Sequence, residues 1–193
     1  MPVAAASEWV RNFDRQAPTA RVTALGGTRY ALQLGGALSP GWTGSLAREL
    51  AARRISIVRG WARRSEGARW EAQLLLELLD ARVNPFHIDF LALARTSSAP
   101  RRLDLGPRLQ AYQLDRTDDA VELAIRAADG VGLLDALLAS FAFYSLFPVE
   151  MTIETRGGVA HDFFRLQRTG GGPPSDVVVA ALEGTLVDLA EPC

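Results

Sequence analysis

An α+β fold in two similar halves, each an antiparallel sheet with helices on one face, is the architecture this sequence predicts. Three observations predict it. The order strand, helix, strand, strand, helix occurs twice along the chain. A stretch holding two Pro, a Gly and a Ser pair, TSSAPRRLDLGP from Thr96 to Pro107, separates the two occurrences and has no periodicity of its own. Of the 193 residues 48% are hydrophobic, so each half can bury a core. The expected organisation is a helical extension over residues 1–19, one domain over 20–97, a linker over 98–107 and a second domain over 108–193.

In the first half, Tyr30 to Gly36 reads as a strand ending in the turn Ser39-Pro40-Gly41. A helix is expected from Trp42 to Arg53, with Leu46 and Leu50 on one face and Arg48, Glu49 and Arg53 elsewhere. Ile55 to Arg64 is a strand, and Ser65-Glu66-Gly67 is a turn. Trp70, Ala72, Leu74, Leu76 and Leu78 then alternate with Glu71, Gln73 and Glu77, the period-two pattern of a half-buried strand. Asn84-Pro85 reads as a helix start, Asn as N-cap and Pro at the first position, with the helix continuing to Arg95.

The second half repeats this order. Val121, Leu123 and Ile125 alternate with Glu122 and Arg126. Residues 129–132 turn the chain into a helix that runs to Tyr144, with Leu134, Leu137, Leu138 and Phe141 at helical spacing. Val149, Met151 and Ile153 mark a strand. Arg156-Gly157-Gly158 is a turn, Val159 to Gln167 a further strand, Thr169 to Ser175 a loop, and Val177 to Leu189 a helix capped by Ser175. A strand also precedes each half, Val22 to Leu25 before Gly26-Gly27 and Leu109 to Leu114 before Asp115. Each can form a hairpin with the strand that follows and take an edge place. The strand at Leu109 can equally close the first domain. Ser7 to Gln16 is expected to be a short extra helix.

Composition narrows the function classes. Formal net charge is -1, so bulk charge favours neither nucleic acid nor anionic membranes. Every basic residue is Arg, which we read as a coding bias. The single Cys, Cys193, can form no intramolecular disulfide and no metal site, and Met1 to Ala6 lacks the basic start and apolar run of a signal peptide. A cytoplasmic protein is expected. Between Val131 and Val149 the only charge is Asp135, at an insertion cost of about 2.5–3.5 kcal/mol, and the run divides into a helix and a strand, so no membrane span is expected.

Two runs carry a resemblance. Asp129-Gly130-Val131-Gly132-Leu133-Leu134 resembles the D-x-x-G-L-L turn between the first strand and first helix of ACT domains. Residues 155–164, TRGGVAHDFF, are similar to the second hairpin of the ACT domains ending the bacterial nitrogen-sensing uridylyltransferases. In the first half, Ser39 to Gly44 keeps Pro40, Gly41 and Gly44 but lacks the Asp, and LAARRISI from Leu50 resembles the family's helix end and second strand. Stand-alone two-ACT regulators such as the glycine cleavage system repressor have a similar length. The resemblance implies tandem ferredoxin-like (ACT-like) domains, a regulatory role without catalysis, a small ligand, commonly an amino acid, bound at an interface between two domains, and a homodimer with a regulated protein partner. No cofactor, metal, nucleic acid or membrane is implied.

The chemistry of that turn is simple. A strand-to-helix turn exposes the unbonded N–H groups of the helix's first turn, which with the helix dipole attract a carboxylate. Gly lets backbone and ligand approach closely. The candidate ligand-binding residues are therefore Ser39, Gly41 and Gly44 in the first half and Asp129, Gly130, Gly132 and Leu133 in the second. Asp129 either caps the helix or binds a ligand's ammonium group. Gly132 can equally be a packing residue.

Catalytic patterns are sparse. His161 and Asp162 are neighbours in a strand and face opposite sides, and His87 and Asp89 lie two apart on an expected helix, about 200° around it. No metal-ligand spacing and no G-x-S-x-G elbow occur, and Gly170-Gly171-Gly172 lacks the residues of a phosphate loop. One alternative stands beside the regulatory reading: a cofactor-independent isomerase or cyclase on a ferredoxin-like scaffold. Its acid–base set would be Glu122, Arg126, Glu150 and Glu154, with His161 and Arg165, on the open sheet face. The same residues serve equally as a solvated polar face. Trp42, Trp61 and Trp70 can fill core or interface, or line a pocket.

Overall fold

The computed structural model describes residues 17–65, 69–96 and 109–190. The helix expected over Ser7 to Gln16, the linker 98–107 and two residues of the turn, Glu66 and Gly67, lie outside the described residues. The elements are β1 (Thr19–Gly26), β2 (Arg29–Ala37), α1 (Trp42–Ala52), β3 (Ile55–Ser65), β4 (Arg69–Leu78), a 3-10 turn (Pro85–His87), α2 (Phe90–Arg95), β5 (Leu109–Arg116), β6 (Val121–Ala128), α3 (Leu133–Phe143), β7 (Leu146–Arg156), β8 (Val159–Arg168) and α4 (Asp176–Leu189).

Alternation builds the sheet. Trp70, Ala72, Leu74, Leu76 and Leu78 of β4 are all buried, as are Val121, Leu123, Ile125 and Ala127 of β6. Apart from Val121, these inward rows join Trp42, Leu46, Leu50, Phe90, Leu137 and Phe141 of the helices in one apolar core. The strands form a single antiparallel sheet of eight in the order β1-β2-β4-β3-β7-β8-β6-β5. Within each half the second strand lies outermost toward the middle and the third strand beside the first, which is the ferredoxin-like order. The strand that precedes each half takes the far edge: β1 pairs with β2, and β5 with β6. The strand at Leu109 thus belongs with the second half's sheet and does not close the first.

The two halves repeat with a constant offset. Residues 42–52 of α1 correspond to 133–143 of α3, and 55–65 of β3 to 146–156 of β7, 91 residues on in each case. The correspondence reaches the backbone. Arg54 and Ser145, also 91 apart, are the only non-Gly residues with positive φ among the described residues, at 56° and 57°. Each ends its helix, with N–H donated to Ala51 or Ala142, and turns the chain into the next strand. The halves meet edge to edge where β3 pairs with β7. Arg59 faces Glu154, Trp61 faces Thr152 and Arg63 faces Glu150. Trp61 and Thr152 are themselves 91 apart, so an approximate twofold axis passes between them. The same axis sets α1 against α3, with Gly44 at the contact: a Cβ there would lie 3.5 Å from Cβ of Leu138, an ordinary van der Waals distance.

One element differs from expectation. The helix expected from Asn84 to Arg95 is two pieces. Asn84 caps only the 3-10 turn, accepting from Phe86 N–H, and Ile88 is extended at φ -93° and ψ 124°. Asp89 then caps α2, accepting from Ala92 N–H at 2.9 Å. An N-cap residue is itself non-helical, so two caps five residues apart cannot belong to one helix. His87 and Asp89 consequently do not share a helix. No described helix is long and apolar enough to cross a membrane.

Candidate functional site

The α1–α3 pairing leaves a cleft at the N-terminus of each helix, closed by the C-terminal half of the other. The α1 cleft is lined by residues 39–45, by 94–96 at the end of α2, and by Leu138, Ala139, Ala142, Phe147 and Pro148, around a cavity of about 360 Å³. The α3 cleft is lined by residues 129–135, by Ala47, Ala51, Ser56 and Ile57, and by Asp162 among others, around a cavity of about 30 Å³. The walls correspond residue by residue at the same offset: Ala47 with Leu138, Ala51 with Ala142, Ser56 with Phe147 and Ile57 with Pro148. Larger side chains on the second-half wall of the α1 cleft do not close it; the α3 cleft holds room only for about a water molecule.

Both helices begin at a glycine. Gly41 at φ 82° and Gly132 at φ 93° occupy the N-cap positions in the left-handed region, and neither helix has a side-chain cap. A residue with Cβ is strained at that φ. Of the two roles open to Asp129, capping α3 is excluded. Asp129 lies three residues before the cap, and its backbone N–H donates instead to Gly158 O at 2.9 Å, tying the turn to the β7–β8 hairpin. Gly130 has ordinary φ and open space around it, so its backbone does not require glycine. Leu133 is a core residue at 6% exposure. Gly44 sits inside α1 rather than in the turn.

The α1 cleft is rich in donors. Trp42 N–H bonds to Ser39 O and Ser45 N–H to Gly41 O, while the N–H groups of Thr43 and Gly44 have no hydrogen-bond partner among the described residues. Trp42, 1% exposed, lines the cavity, packs edge-on against Trp70 at 5.5 Å, and its indole N–H also lacks a partner. A buried N–H left unbonded costs about 1–3 kcal/mol. The α3 cleft is acidic. Asp129, Asp135 and Asp162 line it, the last two 7% and 4% exposed. Burial pushes the Asp162 carboxyl up to about 7, with Asp129's charge adding to the rise and a hydrogen bond from Glu154 N–H, at 3.2 Å, opposing it. Nothing in the sequence reading singled out Asp162 as buried. Its signal was its place in phase with Ala160, Phe164 and Leu166, the inward row of β8.

The alternative catalytic set lies on the open sheet face, where Glu122, Glu154 and Arg165 are engaged in ion pairs. Arg165 contacts Asp119 at 2.5 Å and Glu122 at 3.7 Å; Glu154 contacts Arg59 at 2.7 Å and Arg156 at 2.5 Å. The hydrogen bond from Arg156, with the charges of Arg156 and Arg59, holds Glu154 below its ordinary range. Exposed His161 faces away from buried Asp162, as strand alternation requires. Trp61 lies on this face with the Arg63 guanidinium 5.0 Å above its ring, whereas Trp70 is core. Among the described residues no group of His, Cys, Asp and Glu is arranged to hold a metal.

No family model and no curated protein matches this chain. Among solved structures it is similar to aspartate kinase from Synechocystis, at 18% identity and a TM-score of 0.48, over 84% of this chain and 27% of that one. The chain thus spans about a quarter of the structure it matches. Its own strand order identifies the fold: α+β, two ferredoxin-like units side by side in one sheet.

Proposed function

We propose that this chain is a regulatory module of two ACT-like domains, akin to those of the uridylyltransferases and two-ACT regulators its motifs resemble, and that it binds a small carboxylate-bearing molecule between its halves. Amino acids are the class the motif resemblance implies. The observation that supports it most is the α1 cleft. A cavity of about 360 Å³ falls within the roughly 300–1,000 Å³ of small-molecule sites. It opens on two free N–H groups at the positive end of an eleven-residue helix. Ser39, Gly41 and Gly44 line it. The equivalent α3 turn, with Asp129, Gly130, Gly132 and Leu133, belongs to the acidic cleft and would take an ammonium group. A homodimer, a regulated protein partner and a cytoplasmic setting, the last in keeping with a single Cys, complete the proposal.

The test is thermal unfolding of the full chain with a panel of free amino acids and small carboxylic acids. A ligand at 100 times its dissociation constant stabilises by about 2.7 kcal/mol, which raises the midpoint by roughly 5–10 °C for a chain of this length. No shift with any member contradicts the reading.

A further inference from the structure

The two clefts share a backbone but not a chemistry. Each carboxylate of the α3 cleft has an uncharged counterpart in the first half. At the offset of 91, Asp129 corresponds to Leu38 and Asp135 to Gly44. Along β4 and β8, offset by 90, Asp162 corresponds to Ala72. The side chains lining the α1 cleft include no Asp or Glu. Its one charge is Arg95, and its remaining polar groups are hydroxyls of Ser39, Thr43, Ser45 and Thr96 and the unpartnered Trp42 N–H. Leu138, Ala139, Ala142, Phe147 and Pro148 make the facing wall apolar.

We propose that the α1 cleft selects short apolar-chain carboxylates that lack an ammonium group, the 2-oxo acids above all, over the α-amino acids of the same carbon skeleton. This rests on the proposed binding at that cleft and narrows its ligand. A carboxylate meets the Thr43 and Gly44 N–H groups and the helix dipole. An aliphatic chain meets the apolar wall. A 2-oxo oxygen is an acceptor for a donor such as the Trp42 N–H, which is otherwise unbonded. An ammonium group finds no counter-charge, lies near Arg95, and exchanges its hydration for neutral hydroxyl acceptors alone. The α3 cleft has the carboxylates an ammonium needs but not the volume for the rest of an amino acid.

The test is calorimetric titration of the full chain with two matched pairs, 3-methyl-2-oxobutanoate against L-valine and 4-methyl-2-oxopentanoate against L-leucine. The oxo acid is expected to bind at least about tenfold more tightly in each pair. Two variants locate the site. Ala142→Phe, at a half-buried wall position, fills the cavity and should weaken oxo-acid binding at least about tenfold while the protein still melts cooperatively. Gly44→Asp installs the α3 cleft's carboxylate and should reverse the preference toward the amino acid. Amino acids binding more tightly than their oxo acids overturn the selectivity while leaving a ligand-binding module in place. Unchanged oxo-acid binding by a folded Ala142→Phe protein overturns the location. Binding of neither member of either pair overturns this inference, while the proposed function stands or falls on the wider panel of amino acids and small acids.

Discussion

Single residues carry the repeat in unexpected places. Arg54 and Ser145 hold left-handed backbone that costs a residue with Cβ about 1 kcal/mol or more, at the same point of the two halves. Neither stood out in the sequence, because no Gly marks the position. We predict that Arg54→Gly and Ser145→Gly each stabilise the protein by about 0.5–1 kcal/mol, measured by urea unfolding; destabilisation would show that the side chain, not the backbone, matters there. Asp162 gives a pH signature. Its carboxyl is raised in the native state from 3.8 to about 7, so the folded protein holds a proton that the unfolded chain has released. Stability from this group is therefore present below about pH 4, falls as pH rises toward 7, and is flat above, an effect of at most about 4 kcal/mol. Asp162→Asn should remove this part of the slope and be more stable than the parent at pH 8. An unchanged slope would mean that Asp162 titrates normally.

At the level of elements, the strands and the two long helices were legible because their apolar residues recur at periods of 2 and 3.6 over whole segments. The break at Ile88 was not. Asn84 and Asp89 are both good caps, and only the backbone at Ile88 shows that each captures its own turn. The choice between Asp129's two roles was open for a related reason: Gly132, three residues on, takes the cap position with its backbone alone. With Asp135 as the only charge between Val131 and Val149, α3 is apolar beyond the one face a sheet can bury. α1 of the same chain packs against it. Phe143 remains 50% exposed at the helix end, edge-on to Tyr144. If the proposed homodimer uses this end, analytical ultracentrifugation at micromolar concentration will show a dimer that Phe143→Glu dissociates. The melting of that variant should stay within about 0.5 kcal/mol of the parent, as at other exposed sites. A clean monomer near 20.9 kDa rejects the dimer.

For the whole molecule, the repeat was readable but its consequence was not. The β3–β7 junction and the α1–α3 pairing join segments about ninety residues apart, and no local pattern announces which edges meet. The candidate turns at Gly41 and Gly132 were found from their own residues. Their far walls, from Ala47 to Ile57 and from Leu138 to Pro148, come from the opposite half and exist only once the sheet is continuous. One cleft is open and free of carboxylates, and the other is small and lined by Asp129, Asp135 and Asp162 of its own half. The central claim, that the α1 cleft is the ligand site, is tested most directly by amide chemical-shift mapping with 3-methyl-2-oxobutanoate as the probe. The account predicts that the largest saturable changes fall on the backbone amides of Thr43 and Gly44 and on the Trp42 indole N–H. Changes confined to the open sheet face around Glu122, Glu154 and His161, or no changes at all, would contradict it.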